Sequence, residues 1–254
     1  MIGFLKLKGV DELGLDDPKR TLLHKQIILD KPFLKRLYTE WYKNLEKQLP
    51  ADANKIVELG SGGGFLKDII KGVTTSDILP LPDNDMVLDG LNMPFEDNSI
   101  DAFIMVDVFH HVPDSQLFLQ EMQRTLKPGG RIIMSEPCNS VWGRLIYQNF
   151  HHETFNPKGD WKIPGTGPMS DANGALPYIV FERDLKLFES SFPSLAVIIN
   201  KKHTPLRYLI SGGVSMIQLV PNWSFGFFKL LEQILTPVSR WFSMFQIVVI
   251  EKKK

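Results

Sequence analysis

An acidic residue followed by a cluster of glycines indicates a site for a nucleotide-like ligand. Residues 56–59 form a short apolar run that contains Glu58, and four of the next five residues, 60–64, are glycines. Glycine tolerates positive φ and lets the backbone approach a ligand closely, while the free amides at the start of a following helix can donate hydrogen bonds. The pattern therefore predicts a strand, a glycine turn and a helix arranged around a bound group.

Carboxylates recur further along the chain, each close to the end of a predicted strand. Asp77, Asp89 and Asp107 follow or end three further apolar runs. In open parallel sheets, ligands bind at the carboxyl ends of the strands. A carboxylate can accept hydrogen bonds from two ribose hydroxyls or an exocyclic amine, and it can balance an ammonium group.

The elements that must position these residues alternate between short apolar runs and helical segments, which is typical of a parallel sheet with crossover helices. Strands are predicted near 55–59, 72–76, 85–89, 100–107, 130–136, 194–201 and 244–251. Helices are predicted at 18–48 with a break at 30–32, near 63–71, 114–126 and 181–191, and within 222–241. Residues 138–180 interrupt this rhythm and are predicted to form a long inserted loop, which in compact domains is usually a lid or binding loop.

The glycine turn alone permits two cofactor classes. A dinucleotide fingerprint requires a third small residue at the position that Phe65 occupies, since the helix must pack closely against the strand there. Phe65 therefore weakens the alternative of a nicotinamide-dependent oxidoreductase, which nicotinamide binding would test.

Five segments, taken together, are similar to the class I S-adenosylmethionine-dependent methyltransferases, in particular the type 11-like group. They are residues 58–64, Asp77, residues 89–101, residues 103–112 and residues 126–134. Gly90 departs from the usual alanine. The resemblance implies S-adenosyl-L-methionine as cofactor, bound by Glu58, Gly60, Ser61, Gly62, Gly64, Asp77, Ile78, Asp89, Gly90 and Asp107.

The resemblance also implies the architecture, an α/β fold with a Rossmann-like seven-stranded methyltransferase sheet and helices on both faces. The last strand, within 246–250, would be antiparallel. One domain is expected over residues 1–254. Its parts are an N-terminal helical cover (1–50), a cofactor-binding core (51–137), an inserted lid (138–180) and a C-terminal part of the sheet with an apolar helical cap (181–254).

The implied reaction is in-line displacement at the sulfonium methyl, for which the protein mainly supplies alignment and exclusion of water. A hydroxyl acceptor would also need a base or a metal. Candidate groups are His110, His111, His151, His152 and Glu153, of which His111, His151 and His152 are assigned to catalysis. No metal site is predicted, because adjacent residues such as 151–153 rarely supply a whole site and no spaced second cluster is evident. Contact with substrate or a structural role is favoured for that segment.

The acceptor is predicted only by class. Residues 208–228 contain no charge, so they either line a pocket for a small-molecule acceptor, apolar or lipid-linked, or extend the core. If the acceptor is lipid-linked, peripheral contact of the protein with a membrane is expected. A polar acceptor anchored by Arg144, Lys158, Arg183 or Arg207 is the other possibility. A methyltransferase-like protein that binds cofactor or a partner without catalysis is the alternative function.

The composition and charge of the chain limit the classes of binding partner that are expected. The 254-residue chain has 43% apolar residues and 29 basic against 29 acidic residues, so nucleic acid is not expected as a partner. The single Cys138 excludes an internal disulfide and is expected to be a packing residue. Residues 1–10 do not have the pattern of a signal peptide, so a cytoplasmic location is expected. The oligomeric state is not indicated.

Overall fold

The computed structural model describes residues 5–7, 9–10, 12–165 and 167–254. Part of the segment 1–10, for which no signal peptide is predicted, lies outside these described residues. The strands are β1 (Ile56–Glu58), β2 (Val73–Asp77), β3 (Met86–Val87), β4 (Ile100–Val106), β5 (Leu126–Pro137), β6 (Leu195–His203) and β7 (Phe245–Lys252). The α-helices are α1 (Pro18–Asp30), α2 (Pro32–Glu46), α3 (Leu66–Ile69), α4 (Ser115–Thr125), α5 (Val141–Phe150), α6 (Leu176–Tyr178), α7 (Leu185–Ser191), α8 (Arg207–Ser211), α9 (Phe225–Ile234) and α10 (Ser239–Phe242).

The strands of the described residues form one seven-stranded sheet in the order β3-β2-β1-β4-β5-β7-β6. Neighbours from β3 to β5 are parallel, whereas β7 is antiparallel to both β5 and β6. The predicted seven-stranded sheet and its antiparallel last strand are confirmed. The strand order reverses between β1 and β4, and in open α/β sheets a ligand crevice forms at such a point.

Alternating side chains along the strands supply two hydrophobic cores, one on each face of the sheet. On β4, Ala102 and Ile104 are buried in one core, whereas Phe103 and Met105 are buried in the other. Successive strand side chains point to opposite faces, so a strand apolar at every position must be covered on both sides. Helices therefore pack on both faces, as predicted.

Helix α2 covers the first face. Its buried residues, which include Phe33, Leu37, Trp41 and Leu45, recur at the three- and four-residue spacing of one helix face. Pro32 begins the helix at a position where its missing amide costs no hydrogen bond. None of the described helices is long and apolar enough to cross a lipid bilayer.

Several elements differ from the sequence predictions, among them α8, which no predicted helix covers. Helix α3 is confined to Leu66–Ile69 rather than 63–71, because residues 62–64 remain in the glycine turn. Strand β5 begins at Leu126, earlier than the predicted 130, and a register irregularity in its pairing with β4 accommodates the Gly129–Gly130 segment. The inserted segment 138–180 begins with a ten-residue helix, α5, which its aromatic and polar composition did not indicate.

Candidate functional site

A groove lies at the carboxyl ends of the central strands. It consists of two adjoining cavities of about 230 and 310 Å³, which share lining residues and so form a continuous space. The shared residues are Gly60, Ile78, Val108, His111 and Pro168. Its total size is in the range of ligand pockets in proteins.

The glycine turn forms the floor of this groove. Gly60 and Gly62 have φ values of 62° and 46°, in the left-handed region that favours glycine. A side chain at Gly60 would place its Cβ 2.5 Å from Cγ2 of Val108, and one at Gly64 would place its Cβ 2.6 Å from the Tyr42 hydroxyl. Glycine is therefore required at residues 60 and 64 by close packing, and at residues 60 and 62 by backbone conformation.

Asp77, the last residue of β2, holds the turn from the neighbouring strand. Its Oδ2 accepts from the Gly62 amide and its Oδ1 accepts from the Leu79 amide, both at 2.9 Å. Burial raises the pKa of Asp77, although the bonds from Leu79 and Gly62 partly oppose the shift. Each carboxylate oxygen can accept a further hydrogen bond, so the side chain can also bind hydroxyls of a ligand.

Glu58 is almost completely buried at the end of β1. Burial raises the pKa of its carboxyl to about 7, with the charge of Asp77 adding to the shift and a hydrogen bond to Ser61 opposing it. A cationic ligand group beside Glu58 would remove this penalty. Ser61 is also buried, and its hydroxyl accepts from the Ser76 amide at 3.1 Å, which ties the turn to β2.

The second cavity is lined by Ile78, Asp89 and Gly90. Ile78 is exposed (45%) and faces both cavities. Asp89 is exposed, and its Oδ1 accepts from the Leu91 amide at 2.8 Å. A Cβ at residue 90 would lie 2.7 Å from the Phe118 ring. The glycine that replaces the usual alanine here is therefore explained by packing against α4.

Asp107 directly follows the last residue of β4 and lines the first cavity. It adopts a φ of 56°, uncommon for a residue with a side chain. Its Oδ1 is buried and accepts no hydrogen bond within the described residues. Burial raises the pKa of Asp107 to about 8, with His110 lowering it and Glu136 and Glu153 raising it further.

Behind Asp107, a 3-10 turn (Phe109–His111) carries two histidines into the first cavity. His110 is buried, and its Nδ1 lies 2.7 Å from Oε2 of Glu136. Burial lowers the pKa of His110, but the hydrogen bond and charge of Glu136, followed by those of Glu153, raise it well above the usual value.

His111 has the opposite character. Burial, and then the charge of His110, lower its pKa to about 4. Its Nδ1 lies 3.3 Å from the carbonyl oxygen of Asp171. These opposite pKa shifts favour a neutral His111 beside a charged His110, a pair suited to accept and donate a proton at this end of the groove.

Residues 151–153 approach the same point from the inserted segment. His151 and His152 are exposed, whereas Glu153 extends inward to His110, with Oε2 3.3 Å from Nε2. Burial raises the pKa of Glu153, but His110, His151 and His111 outweigh this and lower it overall. The fold thus brings together His111, His151 and His152, the three residues predicted for catalysis, around Glu153.

Sequence reasoning missed Glu136, which contacts His110 but does not line the cavity, and several residues that do line it. Glu136, at the end of β5, accepts from the amides of Val108 and Phe109 as well as contacting His110. The carboxylate at the end of the fifth strand was the available signal, since it continues the series at the ends of the other strands. The cavity is also lined by residues from distant elements, namely His24, Tyr38, Tyr42, Tyr147, Tyr208, Val214 and Phe245.

The prediction of no metal site depended on the adjacency of residues 151–153 and on the absence of a spaced second cluster elsewhere in the sequence. The structure removes that basis, because ligand atoms of His110, His111 and Glu153 lie within 4.8 Å of one another. The basic residues considered as anchors for a polar acceptor do not line the cavity. Arg207, for example, is paired with Glu40 and Glu232.

Comparison with known proteins identifies a methyltransferase domain in part of the chain and a methyltransferase-like fold over nearly all of it. Residues 57–134 match the family described as "Methyltransferase domain". A demethylmenaquinone methyltransferase of Staphylococcus haemolyticus is 48% identical over 48 residues, 19% of this chain and 20% of that protein. The chloroplastic tocopherol O-methyltransferase of Arabidopsis thaliana is 30% identical over 106 residues, 34% of this chain and 30% of that protein. The matches thus span about a fifth to a third of these relatives.

A solved structure extends the comparison to nearly the whole chain. The geranyl diphosphate C-methyltransferase of Streptomyces coelicolor A3(2) was determined with Mg²⁺, geranyl diphosphate and S-adenosyl-L-homocysteine. The alignment covers 98% of this chain and 92% of that one, with a TM-score of 0.54 and 15% sequence identity. The shared property at this identity is the fold.

Proposed function

We propose, since this chain carries a methyltransferase domain in a class I methyltransferase fold, that the protein is an S-adenosylmethionine-dependent methyltransferase. The observation that supports this function best is the arrangement of Glu58, Asp77 and the glycine turn at the ends of β1 and β2. The two carboxyls are buried and face the groove. Among the described residues, no Lys or Arg contributes to the pKa shift of either carboxyl. The positive ammonium and the hydroxyls of the cofactor would satisfy them.

In this proposal, different residues bind different parts of the cofactor. Glu58 and the turn at 60–64 hold the amino acid part, and Asp77 accepts from the ribose hydroxyls. Ile78, Asp89 and Gly90 hold the adenine, with Asp89 accepting from its amine. Bound S-adenosylmethionine supplies the reactive methyl group, and the protein aligns it toward the first cavity.

Isothermal titration with S-adenosyl-L-homocysteine tests cofactor binding. Asp77→Ala removes both the proposed ribose contact and the bond that holds the Gly62 amide, so it should be compared with Asp89→Ala. Asp89 is exposed and makes a single turn bond with Leu91 among the described residues, so its loss should weaken binding without unsettling the turn. Asp83→Ala, an exposed aspartate outside the groove that pairs with Lys25, is the matched control. A parallel titration with NAD addresses the oxidoreductase alternative.

The acceptor is proposed to be a small molecule with an aromatic or otherwise apolar body and a hydroxyl group. Tyr38, Tyr147, Tyr208 and Phe245 line the first cavity, and they provide flat apolar faces next to the histidines. Proteins with local similarity to this chain are named for demethylmenaquinone and tocopherol, which is consistent with such an acceptor. The catalytic groups would be His111, His151 and His152, with His110 and Glu153 beside them.

Delivery of a lipid-linked acceptor would require contact with a membrane surface. The C-terminal cap, residues 222–242, exposes several large apolar side chains, and the most exposed are Trp223 (83%), Ile234 (64%), Phe227 (58%) and Leu230 (55%). We include peripheral membrane contact through this cap in the proposal. Cosedimentation with vesicles should be lost in Trp223→Ser/Phe227→Ser, and unchanged sedimentation of that variant would contradict the contact.

The alternative function is binding of the cofactor or a partner without catalysis. Both functions are proposed for a single domain that consists of the N-terminal cover, the core, the lid and the C-terminal cap. A measurement of methyl transfer distinguishes the two functions. Transfer of a labelled methyl group from S-adenosylmethionine to hydroxylated aromatic compounds establishes an enzyme. Binding of the cofactor product without transfer to any member of a broad acceptor panel would favour the binding protein.

A further inference from the structure

Glu153 lies at the centre of a cluster of imidazoles. Its carboxylate oxygens are 3.3 Å from Nε2 of His110, 3.7 Å from Nε2 of His111 and 3.6 Å from Nδ1 of His151. Nε2 of His152 lies at 3.7 Å as well. The chain has six histidines, so this cluster concentrates most of them in one cavity.

We propose that His110, His111 and Glu153 bind a divalent transition metal ion such as zinc. Two imidazole nitrogens and one carboxylate oxygen are a donor set found in catalytic zinc and non-haem iron sites. Bonds of about 2.0–2.1 Å in a tetrahedral site place neighbouring ligand atoms roughly 3.3 Å apart. The His110–Glu153 pair has this separation, and all three ligand atoms lie within 4.8 Å, so small side-chain movements would close the site.

The surroundings orient both histidines for binding through Nε2. Nδ1 of His110 is hydrogen-bonded to Glu136, whose other oxygen is held by two backbone amides. Nδ1 of His111 faces the carbonyl of Asp171. Metal-binding histidines usually donate their second ring N–H to a carboxylate or a backbone carbonyl, which fixes the ring and raises its basicity.

The charges of the cluster also favour a cation. Asp107, Glu136 and Glu153 lie together, and Oδ1 of Asp107 is buried without a hydrogen-bond partner in the described part of the chain. The ion pairs of Glu136 and Glu153 within the described residues involve histidine and neither lysine nor arginine. Buried carboxylates require compensation, which a divalent ion would provide. Without a metal, the competing arrangement is an imidazolium at His110 held between Glu136 and Glu153.

Three protein ligands leave a coordination position open, which distinguishes catalytic from structural zinc sites. The open position would face the first cavity. This step rests on the proposed function: the metal binds the acceptor oxygen and lowers the pKa of its hydroxyl. The O–H bond gives its proton to water, an oxygen lone pair forms the O–CH₃ bond, and the C–S bond breaks with its electrons remaining on sulfur as a thioether.

Metal binding is measured on the full chain, purified without a histidine tag, stripped with a chelator and titrated separately with Zn²⁺, Co²⁺ and Mg²⁺. We expect one Zn²⁺ or Co²⁺ per chain, the cobalt visible spectrum of a tetrahedral site, and no comparable binding of Mg²⁺, which prefers oxygen ligands. His110→Ala and Glu153→Gln should lose the site. Glu136→Gln, which removes the carboxylate that orients His110 and one negative charge beside the site, should weaken affinity by about 10–100-fold.

The control is Glu189→Gln, which removes an exposed carboxylate on α7 and should bind zinc as the wild type does. Circular dichroism and titration with S-adenosyl-L-homocysteine verify that each variant is folded. Equal zinc affinity in wild type, Glu153→Gln and Glu189→Gln would overturn the metal site, as would the absence of stoichiometric binding to the wild type.

The same measurements separate this inference from the proposed function. If metal-free protein binds S-adenosyl-L-homocysteine and transfers the methyl group, the proposed methyltransferase function is supported and the metal site is refuted. Stoichiometric zinc binding that depends on Glu153, without any binding of the cofactor product, would support the metal site and contradict the proposed function.

Discussion

The two ends of the groove are built in different ways. At the glycine-turn end, Glu58, residues 60–64 and Asp77 lie within 20 residues of one another, and backbone amides hold them in place. At the histidine end, residues 107–111, Glu136 and Glu153 come from three separate segments. The first end depends on local chain geometry, whereas the second exists only once residues 151–153 dock against β4 and β5.

Under the proposed function, this contrast separates cofactor binding at the glycine-turn end from catalysis at the histidine end. Substitutions of His110, Glu136 or Glu153 should affect turnover and leave cofactor affinity unchanged, because no backbone turn at the other end depends on these side chains, whereas Asp107 is expected to contact the cofactor as well. Substitutions at the turn should affect cofactor affinity first. Each of the following experiments tests whether the two ends are as independent as their construction indicates.

The largest effect is expected for Glu153→Gln. The change keeps the size of the side chain but removes a proposed metal ligand and the charge that four histidines surround, so we expect turnover to fall by about 100- to 10,000-fold, comparable to the loss of a general acid or base. The affinity for S-adenosyl-L-homocysteine should stay within twofold. Steady-state kinetics and calorimetry measure the two quantities, and an equal loss of both would show that the two ends are coupled.

Asp77→Ala should have the next largest effect. Loss of charge-assisted hydrogen bonds, each contributing about 1.5–3 kcal/mol, predicts a cofactor affinity roughly 100-fold weaker. Asp89→Ala should cost about tenfold, since one exposed contact is lost. Calorimetric titration checks both. Unchanged affinity in Asp77→Ala would place the ribose elsewhere in the groove.

Glu58 should make the stability of the ligand-free protein depend on pH. Its folded-state pKa is about 7 against the ordinary value of 4.5, so between these pH values the folded state retains a proton that the unfolded state has lost. The free energy of unfolding therefore falls as pH rises from about 4.5 to 7, by about 3 kcal/mol from this group, and levels off above pH 7.

Urea unfolding at several pH values, with Glu58→Gln as the comparison, isolates this contribution. The variant should show a shallower decline over the same window. Saturation with S-adenosyl-L-homocysteine should also reduce the wild-type decline, because the ligand ammonium favours the charged carboxylate. A wild-type slope identical to that of Glu58→Gln would contradict the raised pKa.

The smallest effect is expected for Gly90→Ala. The added Cβ would lie 2.7 Å from the Phe118 ring, so a shift of the ring or of the 89–91 turn should cost about 1 kcal/mol of stability. Cofactor affinity should fall only a few-fold. Thermal unfolding and calorimetry test this, and Gly226→Ala, where a Cβ meets nothing within 4 Å, is the matched control.

The fold was predictable to the extent that it follows local patterns. The alternation of short apolar runs and helices predicted the sheet, and burial of Phe103 on one face and Ile104 on the other shows why these runs have no polar face. The inserted segment was harder, because α5 has few buried residues, Gly143 and Tyr147 among them. Its aromatic side chains pack against distant elements rather than following one helix face.

The candidate site divides in the same way. Glycines at residues 60 and 62 and acids at strand ends indicate a ligand edge in the sequence itself, because positive φ and parallel strands have few alternatives. The pairing of His110 with Glu136 and Glu153 joins residues 26 and 43 positions away, and no local pattern specifies it. Sequence determined the sheet and the glycine-turn end, whose contacts are short-range. Tertiary packing alone decided the histidine end, because its charges compensate one another only when distant segments share a buried cavity.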